Sequence, residues 1–210
     1  MQSVKVLLLI IMAFTSISCQ NIMLTVFGFR KPKIESKKSI ERYLSKLNQP
    51  INDVYALDTV RYNELMNKPF KPGWPADFRP IQIRVYDRMG SPVMQWASCE
   101  GDLEYLKTFD TVPPRNKGGL DSTLNLQQDL AQYFTLDGRP AQIHSTGEHD
   151  YNVIVFFAKY FPKYSRLSFN AIDQYIEAHP DLKFKVYKIN VDVLDWWNAE
   201  LKSDVSIKNY

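Results

Sequence analysis

Residues 151–191 read YNVIVFFAKYFPKYSRLSFNAIDQYIEAHPDLKFKVYKINV, and this stretch has the clearest pattern of secondary structure in the chain. Its first part, Tyr151–Ala158, is nearly all apolar, which is typical of a central strand buried on both faces. Apolar residues recur at helical spacing over Leu167–Ala178, and Phe184–Val191 alternates apolar and polar side chains as a strand does. A strand, a helix and a second strand at this spacing predict a right-handed βαβ unit with two parallel strands.

The N-terminal part of the chain predicts a second βαβ unit. Asn21–Phe29 is rich in apolar and β-branched residues, as strands are. Ser36 or Ser39 is predicted to cap a helix whose apolar residues recur every three or four positions, and Asp53–Leu57 predicts the second strand. A short helix over Val60–Met66 is expected to follow.

A β-hairpin is predicted between the two units. Ile81–Tyr86 alternates apolar and polar residues, and Ser91–Trp96 returns after a turn. Two further helices are predicted, one near Leu124–Phe134 and one over Leu194–Leu201.

The composition is that of an ordinary globular domain. The 210 residues are 45% hydrophobic and 23% charged, which excludes a disordered tail and a collagen-like fibre. Two cysteines cannot form a disulfide framework, and a formal net charge of +3 gives no indication of a nucleic-acid partner. We therefore predict one α/β domain over residues 19–210, with a Pro-rich loop at 68–80, a flexible region at 110–123, and no cofactor or metal site.

The beginning of the chain is typical of a secretory signal. A short region that ends at Lys5 precedes the apolar run Val6–Phe14, which is too short to span a bilayer, and small or apolar residues then lead to Cys19. These features predict a signal peptide that is removed from the mature protein.

The step Ser18-Cys19 resembles the lipobox of bacterial lipoproteins, in which the cysteine is lipidated and becomes the new N-terminus. The resemblance implies a signal peptide over residues 1–18 and a membrane anchor at Cys19. Because Gln20 follows the cysteine, it also implies an outer-membrane lipoprotein of the bacterial cell envelope, facing the periplasm or the surface. The alternative is an ordinary cleaved signal whose cysteine is incidental.

Val155–Ser165 (VFFAKYFPKYS) resembles the thioredoxin-like pattern of a strand, the motif F-W-A-x-W-C-x-x-C and a helix. This resemblance implies a three-layer sandwich with a mixed central sheet. In the same register Phe161-Pro162-Lys163-Tyr164 stands in place of C-x-x-C. Since the thioredoxin reaction needs a thiolate and a second, resolving thiol, the resemblance implies a redox-inactive domain at that position.

The order of the elements departs from that family. Its members place a cis-proline and an antiparallel hairpin after the second strand of the unit, whereas here Arg79-Pro80-Ile81 and the hairpin lie upstream of it. Pro80 is the candidate equivalent of the cis-proline by analogy alone. Either the hairpin completes the N-terminal βαβ unit, or the sheet is assembled in a permuted order. We favour one mixed sheet to which both βαβ units contribute.

These features favour a binding or scaffold protein over an enzyme. The candidate binding surface is the predicted helix N-terminus around Phe161, Pro162, Lys163 and Tyr164, where backbone N–H groups and an aromatic pair are expected to hold a peptide or an envelope protein. The basic run Arg30–Lys38 is interpreted as a solvated turn, with contact to anionic lipid headgroups as the second interpretation.

Cys99 carries the alternative function, since it is the one thiol that remains besides Cys19. A monothiol oxidoreductase or a diverged peroxidase would use it as the nucleophile. Glu100 next to it would raise the pKa of the Cys99 thiol if the two groups lie close together, so an inert side chain is the favoured interpretation.

Overall fold

The computed structural model describes residues 28–66, 81–97, 123–143, 147–198 and 202. Several of the predictions fall on residues outside these ranges: the signal peptide, the strand over 21–27, the Pro-rich loop, nearly all of region 110–123, Cys19, Pro80 and Cys99.

The described residues form four helices and six strands. The helices are α1 (Lys37–Lys46), α2 (Thr59–Met66), α3 (Leu126–Leu130) and α4 (Pro162–Ala178). The strands are β1 (Val54–Ala56), β2 (Gln82–Asp87), β3 (Pro92–Ala97), β4 (Phe134–Thr135), β5 (Tyr151–Phe157) and β6 (Phe184–Asn190). They make one mixed sheet in the order β3-β2-β5-β6-β1-β4, which confirms the predicted α/β class.

The unit β5-α4-β6 lies at the centre of the sheet. β5 and β6 pair in parallel from Tyr151 opposite Phe184 to Phe157 opposite Asn190, as the near-continuous apolar pattern predicted. Helix α4 begins five residues before the predicted start at Leu167. Pro162 is well suited to that first turn, because its missing N–H would have no partner there in any case.

The hairpin β2-β3 joins this central unit. β2 pairs antiparallel with β5, with Ile83 opposite Val155, and β3 forms the edge of the sheet beyond β2. On the other side β1 pairs in parallel with β6, with Tyr55 opposite Ile189. The hairpin therefore does not complete the N-terminal unit, which was one of the two arrangements left open, and the single mixed sheet is confirmed.

Helices cover both faces of the sheet. Phe157 stacks on Tyr43 of α1 and packs against Phe169 of α4. Its neighbour Phe156 points to the opposite face, where it meets Tyr133 just after α3. The core thus lies on both sides of β5, and the carboxyl ends of β5 and β6 emerge together at one edge.

Two helix predictions were wrong in extent. The helix near Leu124–Phe134 ends at Leu130, because Phe134 starts β4 and pairs with β1. The described residues at the start of the predicted helix over Leu194–Leu201 form a bridge and a turn. The Val193 carbonyl, which would accept the Trp197 N–H in such a helix, accepts the Glu35 N–H instead, and the Trp197 N–H bonds to the Leu194 carbonyl.

The helix over Lys37–Lys46 begins where the sequence predicted. Ser36, one of the two candidate caps, accepts a hydrogen bond from the Ser39 backbone N–H through its side chain at 3.3 Å. Across the described residues no helix is long and apolar enough to cross a membrane.

Candidate functional site

The segment Phe161–Tyr164 forms the turn from β5 into α4. Phe161 occupies the N-cap position without a side-chain hydrogen bond. Ser165 ties the turn to the end of β5, because its hydroxyl accepts a bond from the Ala158 N–H at 3.0 Å and donates to the Ala158 carbonyl at 2.8 Å. The helix N-terminus is thereby held at the carboxyl edge of the sheet.

Phe161 and Tyr164 are packed against the chain's own N-terminal segment. The ring of Phe29 lies edge-to-face on Phe161 at a centroid distance of 4.5 Å, and it lies 6.0 Å from the ring of Tyr164. The Arg30 N–H donates to the Tyr160 carbonyl at 2.8 Å. Tyr164 is only 8% exposed, so these rings stabilise the turn and the open surface lies beside them.

Gly28 permits this close approach. Its φ is +70°, and a Cβ at this position would come within 3.3 Å of the Lys163 Cβ. A larger residue would be strained in conformation and would push the segment away from α4.

A cavity of about 430 Å³ opens next to this turn. We call it the carboxyl-edge crevice, because it lies just beyond the ends of β5 and β6. Ligands of open α/β sheets commonly bind outside the carboxyl ends of the strands. Its lining residues come from the segment before α1 and from the loops after β5 and β6: Arg30, Lys31, Lys33, Glu35, Lys159, Tyr160 and Asp192.

Glu35 and Lys159 form an ion pair inside the crevice. The Lys159 ammonium also donates to the Ser39 hydroxyl at 2.6 Å, and this hydroxyl donates to the Glu35 carboxylate at 2.5 Å. The backbone of Glu35 is held as well, since its N–H donates to Val193 and its carbonyl accepts from Asp195. The charge of Glu35 is therefore compensated and its position is fixed.

Asp192 lies at the inner wall of the crevice and is 1% exposed. Its carboxylate accepts the Lys159 backbone N–H at 2.9 Å and the Asn190 side-chain amide at 2.7 Å. Burial raises the pKa of Asp192 to about 6, although the bond from Lys159 opposes the shift, and the charge of Glu35 contributes a further rise. Asp192 therefore changes its charge close to neutral pH.

The sequence singled out only part of this site. It pointed to Phe161–Tyr164 and to the basic run that contains Arg30, but it gave no role to Lys159 or Asp192. Glu35 and Lys159 are separated by 124 positions, and only the strand order brings them together. The polar pattern N-V-D at 190–192, directly after an alternating strand, is the signal that could have located Asp192 at a strand end.

No protein-family model, curated protein or solved structure matches this chain.

Proposed function

We infer that this protein is a lipid-anchored, redox-inactive thioredoxin-like module of the bacterial cell envelope that binds a protein or peptide in the carboxyl-edge crevice. The anchor is Cys19, and Gln20 after it favours the outer membrane. The observation that supports this proposed binding function is the open crevice of about 430 Å³ beside the Phe161–Tyr164 turn.

The position of the hairpin supports the thioredoxin-like assignment. The resemblance implies a mixed central sheet that contains an antiparallel hairpin together with the parallel strands of the βαβ unit. β2 pairs antiparallel with β5, although β2 precedes β5 in the chain. We therefore propose that this chain has the sheet of the thioredoxin-like family, with the hairpin in a permuted position along the chain.

The chemistry at the turn supports binding over redox catalysis. Phe161 and Tyr164 supply no thiol, and their rings are occupied by contacts with Phe29. The groups that face the crevice are instead charged or aromatic side chains, such as those of Lys159 and Tyr160. Such groups bind and orient a ligand without exchanging electrons with it.

Site-specific photo-crosslinking in the bacterium tests this function. A photoreactive amino acid replaces Lys31 at the crevice or, as the matched control, the exposed Lys183, which precedes β6 at the opposite edge of the sheet. We expect a discrete crosslinked protein or peptide from position 31 and none from position 183. Equal crosslinking from both positions, or none from position 31, would contradict the proposal.

The same strain distinguishes the proposed binding function from the alternative function, in which Cys99 acts as the nucleophile of an oxidoreductase or a peroxidase. Replacing Cys99 by Ser should leave crosslinking from position 31 unchanged. Loss of capture in Cys99→Ser, together with a disulfide-linked adduct of the wild-type protein on a non-reducing gel, would instead support a monothiol oxidoreductase.

A further inference from the structure

The charges of the crevice are unequally distributed between its wall and its rim. The two acidic residues, Glu35 and Asp192, are turned inward: Glu35 is bonded to Lys159, and Asp192 is almost fully buried. Arg30 and Lys33, by contrast, are exposed at the rim. An approaching ligand therefore meets positive groups before it meets either carboxylate.

The balance of charge favours an anionic ligand. Four cationic residues and two acidic residues line the crevice, and one pair of these, Lys159 with Glu35, is already neutralised. Three cationic residues and the carboxylate of Asp192 remain, so the lining has a formal charge of +2 and attracts a group of negative charge.

The shape of the crevice favours a peptide segment as the ligand over a membrane surface. A planar layer of headgroups would touch Arg30 and Lys33 at the rim but would not fill the crevice of about 430 Å³. A few residues of an extended peptide do fill such a volume, and arginine forms bidentate hydrogen bonds with a carboxylate.

We propose that the carboxyl-edge crevice binds an acidic peptide segment, with Asp or Glu carboxylates of the ligand against Arg30 and Lys33. This inference rests on the proposed function, since it names the class of ligand for the same crevice. The backbone of Arg30 is already fixed by its bond to Tyr160, so its side chain is presented from a rigid support.

Selection from a display library of random short peptides on the immobilised full-length protein tests the ligand class. We expect the enriched peptides to be rich in Asp and Glu with the wild-type protein, and this bias to disappear with the double variant Arg30→Gln/Lys33→Gln. The control variant Lys183→Gln should retain the acidic bias.

An enriched peptide is then synthesised with a fluorescent label, and its binding is measured by anisotropy. We expect at least tenfold weaker binding to Arg30→Gln/Lys33→Gln than to wild type, no change with Lys183→Gln, and weaker binding as salt rises. The peptide is tested with an amidated and with a free C-terminus, and equal binding of the two forms assigns recognition to its side-chain carboxylates. Binding of the form with the free C-terminus alone would overturn that assignment.

The possible outcomes distinguish the proposed binding function from the inference that the ligand is an acidic peptide. If no peptide is enriched over the blank surface, the proposed binding function fails together with the inference. If peptides are enriched without an acidic bias, or if the bias survives Arg30→Gln/Lys33→Gln, the binding function stands and the acidic-ligand inference is overturned.

Discussion

Arg84 of β2 bonds through its Nη1 to both carboxylate oxygens of Asp129 in α3, at 2.9 and 2.8 Å, and both side chains are buried. The guanidinium also donates twice to the Gln82 side-chain oxygen and lies 4.9 Å from the centroid of the Phe156 ring. Asp129 further accepts hydrogen bonds from two tyrosine hydroxyls, those of Tyr86 and Tyr133. This network fixes α3 to the face of the sheet opposite α4.

Replacing Asp129 by Asn should destabilise the fold strongly. Burial alone would raise the pKa of Asp129, but the Arg84 guanidinium holds that pKa below its usual value, so the carboxylate is charged when it pairs with Arg84. Removing that charge leaves a buried guanidinium unpaired, which costs about 3 to 5 kcal/mol of unfolding free energy. Urea denaturation followed by circular dichroism measures the loss.

The matched control is Glu64→Gln, which breaks an exposed ion pair with Arg61 and should change stability far less. The double variant Arg84→Met/Asp129→Leu should recover part of the loss, because it removes both charges. A loss below about 1 kcal/mol in Asp129→Asn would show that the pair does not hold α3 in place.

Asp192 should make the stability of the protein depend on pH between about 4 and 6. Its pKa is raised to about 6 by burial, so the folded state binds the proton more tightly than the unfolded state does. The stabilisation is complete below pH 4 and is lost as pH rises through 6. Relative to wild type, Asp192→Asn should therefore gain about 2 kcal/mol between pH 4 and pH 7.

Urea denaturation of both proteins across this pH range gives the difference directly. Asp195→Asn serves as the control, because it removes an exposed carboxylate from the same loop. A flat difference for Asp192→Asn would mean that Asp192 does not titrate near pH 6.

Glu35 and Lys159 should be energetically coupled. A double-mutant cycle with Glu35→Gln, Lys159→Met and the double variant isolates their interaction. We expect a coupling energy of about 1 to 2 kcal/mol, because the pair is largely shielded from solvent and Ser39 bridges it. Additive single effects in urea denaturation would contradict this expectation.

Cys19 should be the site of membrane attachment. Cys19→Ser should abolish incorporation of a labelled fatty acid and move the protein from the membrane fraction to the soluble fraction, since the acyl chains supply the membrane affinity. Cys99→Ser is the control and should keep both the label and the membrane association. Fatty-acid label in Cys19→Ser would refute the lipoprotein assignment.

Local pattern was sufficient for most elements of the sheet. The apolar run at Tyr151–Ala158, the alternation at Phe184–Val191 and the hairpin strands around the turn at 87–90 all predicted strands that are present. The local sequence pattern did not predict the structure where backbone groups form hydrogen bonds with residues that are distant in the chain. Leu194 was predicted to begin a helix, but it forms a bridge with Glu35 and is followed by a turn, and both of its neighbours are hydrogen-bonded to the Glu35 backbone.

Residue type and the period of hydrophobicity over short stretches are sufficient to predict the βαβ unit and the hairpin, and they show that Phe161 and Tyr164 supply no thiol. The pairing of the hairpin with β5, and the meeting of Glu35, Lys159 and Asp192 in one crevice, follow from the three-dimensional arrangement of the chain. Strand order and the meeting of loops at a sheet edge depend on packing between distant segments. No local spacing encodes that packing.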